Sequence, residues 1–471
     1  MTSRNPPIAR QSDAAGPVSF SSIIDARPVG RVQLAVLMLC GFVMFLDGFD
    51  TQALSFAAPS LAKEWNVAPA ALGTLLSAAI FGLMVGYLAL SPLANRVGHR
   101  RVIIFTTATF GVLTLLCSFA SGPTELIALR FLTGTALGAA IPSLVSLTSE
   151  FAPRRRRSSS VLFIYCWLAL GFVAAGLISG VVIPQFGWRA MFILGGVTPL
   201  VLVIALIAFL PESPRYLLTR PALAHRLRAL LLRIDSAFPD TIVVGMETED
   251  SHARQRAGSL VIELIRRRWL ASTLLLWIAF IANLAAFYSI QSWMPSIVSS
   301  SGREPSVVIA ATVLTTVGGI VAATAIGPLM DRISPFVTLG VVYVLGSIFV
   351  GILGMSLESS PWMLLTTAFL AGTCVTGGQM SIVAVASLIY PPRLRSTGVG
   401  WALGIGRVGG IIGPILVGAA LGGGVAPVAV FLTISLVLIA AGLSMFALDR
   451  RSRGRASRRL ELVGGPDARP E

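Results

Sequence analysis

Charged residues are scarce in this chain: Asp, Glu, Lys and Arg together make up only 12% of its 471 residues. Soluble domains contain about 25% charged residues, so the deficit excludes an ordinary soluble multidomain enzyme. Hydrophobic residues are correspondingly abundant, at 55% of the chain. We therefore predict that a lipid bilayer is the solvent for most of the protein.

Histidine and cysteine are also scarce, with three and four copies. The histidines fall in predicted loops, and the cysteines fall singly in predicted spans without the spacing of metal ligands. They are His99, His225, His252, Cys40, Cys117, Cys166 and Cys374. We predict no metal site, no cofactor and none of the nucleophile–base or metal constellations that an intramembrane enzyme needs.

Long apolar runs, by contrast, are frequent. A membrane-spanning helix needs roughly 20 mostly apolar residues. Twelve segments meet that criterion, near residues 33–57, 70–92, 102–121, 124–149, 160–183, 190–210, 269–292, 306–328, 336–356, 362–388, 397–421 and 425–447. The sequence thus predicts an all-α membrane protein with twelve transmembrane helices.

The net charge of +15 comes from arginines that cluster in alternate loops and in the carboxyl-terminal tail. Arg96, Arg100 and Arg101 follow the second segment, and the run 154–157 follows the fourth. Arginine-rich loops stay in the cytoplasm, so both termini are predicted to be cytoplasmic. The positive charge therefore indicates topology rather than nucleic-acid binding, and the polar residues 1–30 resemble a cytosolic tail, not a cleaved signal peptide.

The chain also repeats itself. The run LANR at 93–96 parallels LMDR at 329–332, and the arginine-rich run after segment 4 parallels the one after segment 10. We predict two six-helix bundles, 31–210 and 269–448, joined by a charged and weakly amphipathic loop at 211–268, with tails at 1–30 and 449–471. Paired six-helix halves with a site between them at the midplane are typical of rocking secondary transporters.

Two acids, Asp47 and Asp50, lie inside the first apolar segment. Ionisable residues at membrane depth are costly and usually mark an ion or substrate path. Their spacing of three places them on one helical face. Arg130, in the fourth segment, lies at a similar depth, so an Asp50–Arg130 pair is expected. It could be a proton switch or a purely structural ion pair.

Arg407 is the only cation in the central half of the second bundle. A guanidinium forks onto a carboxylate, so we predict that Arg407 binds a substrate carboxylate, the alternative being a structural partner in segment 8 or 10. Several polar and aromatic residues are secondary candidates for the pocket, although aromatics near span ends often form interfacial belts instead. They are Gln379, Asn283, Phe49, Tyr288, Trp293 and Trp401.

Several motifs resemble a known family. The chain is similar to the major facilitator superfamily, and within it to the aromatic acid:proton symporters, over about residues 30–448. The superfamily features are the loop after segment 2, RFLTG at 130–134 and PESPRYL at 211–217. Narrower features are DGFD at 47–50, the run 148–156, and above all the long stretch 390–414.

The resemblance implies import of an aromatic carboxylate with a proton by alternating access through a bacterial inner membrane, by a protein expected to be monomeric. It implies coupling roles for Asp47, Asp50, Arg130 and Glu150, although Glu150 could equally be an acid satisfied by a nearby arginine. It also implies gating roles for residues of the two repeated loops, namely Arg96, Asp331 and Arg332. One departure is Asn95, which replaces the usual gate aspartate and cannot form a charged pair.

Other transporters remain as alternatives: importers of another small organic anion or of a sugar-like solute, and proton-coupled efflux antiporters. Sugar porters usually carry a second Pro-Glu-rich motif after the last span, which the tail lacks. Antiporters usually carry a Gly-Pro signal in segment 5, whereas the similar run here, GGIIGP at 409–414, is in segment 11. Among aromatic acids, hydroxybenzoate, protocatechuate, benzoate, gentisate and phenylpropionates all stay open.

Overall fold

Long helices form almost the whole structure. The computed structural model describes residues 18–25, 29–90, 93–234, 244–245, 263–266 and 268–463, and twelve helices within these ranges are long and apolar enough to cross a membrane. In chain order they are α1 Arg31–Trp65, α2 Pro69–Ala89, α3 His99–Cys117, α4 Pro123–Phe151, α5 Arg157–Phe186, α6 Arg189–Phe209, α7 Leu270–Ser300, α8 Pro305–Arg332, α9 Pro335–Met355, α10 Pro361–Ile389, α11 Pro392–Gly422 and α12 Pro427–Val463. The predicted all-α fold of twelve membrane helices is confirmed.

Local sequence explains where many of these helices begin and end. Proline is tolerated in the first turn because the first backbone N–H groups have no intrahelical partner. Seven of the helices begin at a proline: α2, α4 and α8 to α12. α1 ends where Asn66 adopts a left-handed conformation with φ of 51°, and α5 ends at Gly187 with φ of 78°.

The two six-helix halves have the same internal arrangement. In the first half α1 packs on α5, α2 on α4 and α3 on α6, and in the second half α7 packs on α11, α8 on α10 and α9 on α12. Glycine permits the closest of these contacts. Gly171 lies against the backbone of Phe45, and the equivalent Gly409 lies against the backbone of Ile281, with no room for a side chain at either glycine.

The halves meet at the end of the bundle opposite to the arginine-rich loops. Ser77 Oγ in α2 donates a hydrogen bond to the carbonyl oxygen of Ile411 in α11, at 2.9 Å. Gly73 packs so closely on α11 that a Cβ there would lie 2.7 Å from the carbonyl oxygen of Pro414. Likewise, Gln52 Nε2 donates to the carbonyl oxygen of Gln291 across 3.2 Å. This end is therefore closed.

The opposite end of the same helix faces is more open. In α8, Gly327 lies on about the same face as Val313, which packs against Gly176 of α5 nearer the closed end. In α11, Gly404 and Gly400 lie about one and two turns before Arg407, respectively. Apart from the backbone of the same helix, no atom of the described residues lies within 4 Å of the place where a Cβ would stand on Gly327, Gly400 or Gly404. The halves thus separate toward the arginine-rich side.

A small layer of structure covers the arginine-rich end of the first half. The short helix Phe20–Asp25 contributes Phe20, Ile23 and Ile24 to an apolar cluster that also contains Phe151 at the end of α4. The helix Ala224–Ile234 joins this cluster through Leu230 and Leu231. The loop 211–268 was expected to be only weakly amphipathic. That expectation was wrong for this helix, whose apolar side is buried while its arginines face outward.

The tails also contain more regular structure than expected. β1, Val18–Ser19, pairs in parallel with β2, Val244–Gly245, and so joins the amino-terminal segment to the connecting loop. α12 extends well past the predicted end of the last apolar run at residue 447, through to Val463. The extension is rich in arginine, which has a high helix propensity even without an apolar environment.

Candidate functional site

Asp50 and Arg130 form a buried ion pair inside the first half. Arg130 Nη1 lies 2.8 Å from each carboxylate oxygen of Asp50, and both side chains are only 1% exposed. Thr114 Oγ1 in α3 donates a further hydrogen bond to Asp50 Oδ1, at 3.1 Å. The contact expected from the matching depths of these two residues is present.

The surroundings of Arg130 make this pair energetically important. Its guanidinium lies 5.9 Å from the ring centroid of Phe192, and its Nε has no hydrogen-bond partner among the described residues. The carboxylate of Asp50 is therefore its main polar contact. Removing one member of a buried ion pair typically costs about 3–5 kcal/mol, because the other charge is left uncompensated.

Asp47 lies one turn before Asp50 on the same face of α1, but its environment differs. Its side chain is 4% exposed, and it makes no hydrogen bond or ion pair with any residue that the structure describes. It lines a small cavity together with Asp50, Arg130, Tyr288 and Ser292. The cavity volume is ≈ 20 Å³, which is room for about one water molecule. A carboxyl group without a partner that lines such a cavity can exchange a proton with a water molecule in it.

Arg407 lies at the middle of α11, where the two halves face each other. Its Nη1 donates a hydrogen bond to the hydroxyl oxygen of Tyr288 in α7, at 3.1 Å. It also interacts electrostatically with Asp47 of α1, Tyr87 of α2 and Tyr165 of α5. The alternative expectation of a partner in α8 or α10 does not hold for the described residues, because the hydrogen-bond partner comes from α7.

Sequence reasoning missed Tyr87 and Tyr165. The signal that could have identified them is rarity combined with position: the chain has only six tyrosines, and both of these lie within predicted spans. Together with Tyr288, both interact with a single guanidinium, that of Arg407. Because Tyr87 and Tyr165 come from the first half and Tyr288 from the second, this cluster (Arg407, Tyr87, Tyr165 and Tyr288) joins both halves; we call it the tyrosine cage.

Asn283 and Gln379 lie near each other in the second half. Asn283 is fully buried in α7, and its Nδ2 donates to the carbonyl oxygen of Val375 in α10, at 3.5 Å. Gln379 lies one turn after Val375 on α10. The amide oxygens of Asn283 and Gln379 have no hydrogen-bond partner among the described residues. Both amides can therefore accept a hydrogen bond from a bound hydroxyl group or water.

The other aromatic candidates lie elsewhere. Phe49 packs inside the first half with Ala53, Ala175 and Met191. Trp401 is 43% exposed and stacks on Trp277 of α7, with ring centroids 6.3 Å apart. The structure therefore brings neither of these aromatic side chains to Arg407.

Trp293 lies at the closed end of the bundle. It is buried in α7, and its Nε1 donates a hydrogen bond to the carbonyl oxygen of Pro414 in α11, at 2.9 Å. Gly418 of α11 also packs closely on Trp293: a Cβ on Gly418 would lie 3.0 Å from the Trp293 ring. Trp293 thus contributes to packing between α7 and α11.

Glu150 belongs to a polar network at the arginine-rich end of the first half. It accepts hydrogen bonds from the hydroxyl groups of Ser213 and Ser146. The nearby Arg154 is bound to Asp25, whose carboxylate accepts a hydrogen bond from the backbone N–H of Arg154. Glu150 thus ties the end of α4 to Ser213 in the run 211–217.

The repeated loops carry the candidate gating residues. The carbonyl oxygen of Arg96 accepts a hydrogen bond from the guanidinium of Arg220. Asp331 and Arg332, at the end of α8, are exposed and form no ion pair with a residue that the structure describes. The gating residues of the two halves are therefore not in contact with each other here, which agrees with the separation of the halves at this end.

Comparison with known proteins points to one family. The family model described as Major Facilitator Superfamily matches residues 40–357 and 304–464. The chain is 36% identical to the 4-hydroxybenzoate transporter PcaK of Pseudomonas aeruginosa, over 84% of this chain and 88% of that protein. It is 35% identical to a gallate transporter of Pseudomonas putida, over 92% and 95% of the two chains. It is 32% identical to the 3-(3-hydroxy-phenyl)propionate transporter of Escherichia coli, over 88% and 94%.

Solved structures show the same fold. A bacterial homologue of the human lysosomal transporter Spinster, in an inward-facing and occupied conformation, aligns with a TM-score of 0.67 and 15% identity over 90% of this chain and 98% of that chain. The xylose transporter XylE of Escherichia coli, in a partially occluded inward-open conformation, aligns with a TM-score of 0.65 and 15% identity, over 89% and 98%.

Proposed function

Because the chain belongs to the major facilitator superfamily and is a multi-pass membrane transporter rather than an enzyme, we propose that it imports an aromatic carboxylate together with a proton. The curated relatives above are named for 4-hydroxybenzoate, gallate and a hydroxyphenylpropionate, all of them phenolic carboxylates. The positive-inside pattern of the loops supports cytoplasmic termini and insertion in a bacterial inner membrane.

The observation that carries this proposal is the tyrosine cage around Arg407. A substrate carboxylate binds the guanidinium through two parallel hydrogen bonds, an arrangement that the planar geometry of arginine favours. Arg407 already donates to Tyr288, so its second edge is available to a ligand. The tyrosine rings supply flat apolar surface for an aromatic ring, and their hydroxyl groups can bond to its substituents.

We assign two amides of the second half to the same substrate site. Asn283 and Gln379 have free oxygen acceptors, which suit the phenolic hydroxyl group of a bound hydroxybenzoate. A site built to hydrogen-bond a hydroxyl group discriminates strongly against analogues that lack it. We assign recognition of ring hydroxyl groups to these two residues.

Proton coupling is assigned to Asp47 and Asp50 with Arg130. Asp50 already has a cationic partner, whereas Asp47 has none and also interacts electrostatically with Arg407. Proton binding to Asp47 removes its negative charge and leaves the positive charge of Arg407 for the substrate. Moving one charge through the membrane potential is worth about 2.3 kcal/mol per 100 mV, which can drive accumulation of an anion against a negative interior.

Transport requires the two halves, 31–210 and 269–448, to rock about this central site. With cytoplasmic termini, the closed end lies outside and the separated end faces the cytoplasm. Closure of the cytoplasmic end would then bring Asp331 and Arg332 toward Arg96 and the Glu150 network. The exposure of Asp331 and Arg332 in the present conformation supports this gating role.

Uptake by purified protein in liposomes tests the function. Labelled 4-hydroxybenzoate and gallate should accumulate when the outside is more acidic, and a proton uncoupler should abolish accumulation. Xylose, as a sugar-like solute, should not accumulate under either condition. Equal uptake with and without gradients of pH and voltage, or export driven by the same gradient, would overturn the proposal.

A further inference from the structure

A groove with no role in the transport site opens on the outer surface of the second half. It lies between the beginning of α7 and the end of the apolar part of α12, and its volume is ≈ 690 Å³. Leu274 and Ile278 line one wall, and Leu443 and Phe446 line the other. Ligand sites typically have volumes of about 300–1,000 Å³, so the groove is large enough for part of a lipid molecule.

One end of this groove is strongly basic. Arg450 and Arg451 line it, are exposed, and form no ion pair with any residue that the structure describes. The adjacent acid, Asp449, is already used: it accepts a hydrogen bond from Ser334 and lies 2.8 Å from the guanidinium of Arg453. Two uncompensated guanidinium groups therefore lie at the mouth of an otherwise apolar recess.

The apolar walls and the two arginines together indicate which kind of ligand would bind in the groove. The apolar walls belong to membrane-spanning parts of α7 and α12 and so face hydrocarbon, where a water-soluble anion would gain nothing. The arginines follow the apolar part of α12 on the arginine-rich side, where the phosphates of a bilayer are expected. Guanidinium groups bind phosphate through paired hydrogen bonds, and basic pockets between helices on the cytoplasmic side are suited to anionic lipid head groups.

We propose that this groove binds an anionic phospholipid in the leaflet on the arginine-rich side. The phosphate pairs with Arg450 and Arg451, and an acyl chain lies along Leu274, Ile278 and Leu443. An ordinary annular lipid would contact the same apolar wall without preference for head-group charge. Arg450 and Arg451 give the groove a preference for a negatively charged head group. They impose no requirement on the acyl chains of the lipid.

Native mass spectrometry of the purified full-length protein in neutral detergent tests this site. Phosphatidylglycerol and phosphatidylcholine are titrated separately, and the retained lipid is counted. Phosphatidylglycerol should bind roughly tenfold more tightly, as expected for two arginines near an anionic head group. The double variant Arg450→Gln/Arg451→Gln should lose this preference.

A matched control removes the same charge elsewhere. Arg155→Gln/Arg156→Gln changes two exposed arginines of the 3-10 turn Arg154–Arg156 on the first half, and it should keep the preference. Ala447→Trp, which fills the groove without touching the arginines, should weaken phosphatidylglycerol binding. Leu443→Trp tests the same point at a side chain that is 60% exposed and so tolerates replacement.

Several results would overturn the proposal. These are equal binding of the two lipids by the unmodified protein, an unchanged preference in the Arg450→Gln/Arg451→Gln variant, or an equal loss in the Arg155→Gln/Arg156→Gln control. Unchanged binding in both tryptophan variants would also do so, because the lipid would then contact the arginines without entering the groove.

Discussion

Asp47 and Asp50 lie one turn apart on the same face of α1, yet only Asp50 has a cationic partner, with Arg130 Nη1 2.8 Å from both of its carboxylate oxygens. Proton binding therefore has a different consequence at each of the two acids. Protonating Asp50 breaks an existing ion pair, whereas protonating Asp47 neutralises a charge that has no close partner among the described residues. Within the coupling group of Asp47, Asp50 and Arg130, we therefore expect Asp47 to bind the transported proton and Asp50 to hold Arg130 in place.

Asp47→Asn should uncouple transport from the proton gradient. The amide keeps the size of the carboxyl group but cannot exchange a proton. Accumulation of labelled 4-hydroxybenzoate in liposomes should fall by about tenfold or more, whereas exchange of internal for external substrate at equal pH should continue. Glu358→Gln, which neutralises an exposed acid, is the matched control and should leave both activities unchanged. Full pH-driven accumulation by Asp47→Asn would contradict the coupling role.

Asp50→Asn and Arg130→Gln should each destabilise the protein. Each leaves one buried charge uncompensated, at a cost of about 3–5 kcal/mol. The double variant removes both charges and should recover much of the lost stability. The measurement is the unfolding midpoint of purified protein in detergent, analysed as a double-mutant cycle. Additive losses in the double variant would show that the two residues do not depend on each other.

Arg407→Lys should weaken substrate binding although the positive charge is kept. Lysine is a compact point charge and cannot fork onto a carboxylate while also donating to Tyr288. We expect the dissociation constant for 4-hydroxybenzoate to rise roughly tenfold or more, measured by calorimetry. Tyr288→Phe should have a smaller effect, of about two- to tenfold, for one lost hydrogen bond. An unchanged constant for Arg407→Lys would reject the carboxylate role.

Tyr343→Phe is the control for the tyrosine cage. Tyr343 is fully buried in α9, and its hydroxyl group donates only a long hydrogen bond, of 3.4 Å, to the carbonyl oxygen of Gly378. Removing that hydroxyl group should not change substrate affinity. A loss equal to that of Tyr288→Phe would indicate a general packing effect rather than recognition at the cage.

Gly73→Val should prevent the halves from closing at the outer end. A side chain there would collide with the α11 backbone at Pro414 and with Gly418. The equilibrium should shift toward an outward-open conformation, and transport should slow. The reporter is the alkylation rate of a cysteine at Ser77 by a membrane-impermeant reagent, which should increase. Gly122→Ala, where the added Cβ meets nothing within 4 Å, should change neither rate.

Sequence reasoning located the twelve membrane helices because each is a long apolar run, and lipid demands length and hydrophobicity above all. It also anticipated the Asp50–Arg130 contact, because residues at the same depth in adjacent helices of one half have few other partners. Depth along a helix follows directly from residue number. These features required no knowledge of how the helices pack.

Helix rotation could not be predicted in the same way. The spanning helices are apolar on all sides, so hydrophobic periodicity does not show which face turns inward. The tyrosine cage, the packing of Phe49 inside the first half and the stacking of Trp401 on Trp277 all depend on rotation. The absence of a close partner for Asp47 among the described residues also depends on helix rotation. Only the packing of both halves brings Tyr87 and Tyr165 toward Arg407.

The short helix Phe20–Asp25 is attached to the first half, through Phe20 against Phe151 and Asp25 against the backbone N–H of Arg154. We therefore expect the helix Phe20–Asp25 to move together with α4. The helical extension of α12 beyond the bilayer should likewise move together with the second half. A fluorescent dye on each would report the angle between the halves during a transport cycle from outside the membrane, without any label inside the substrate path.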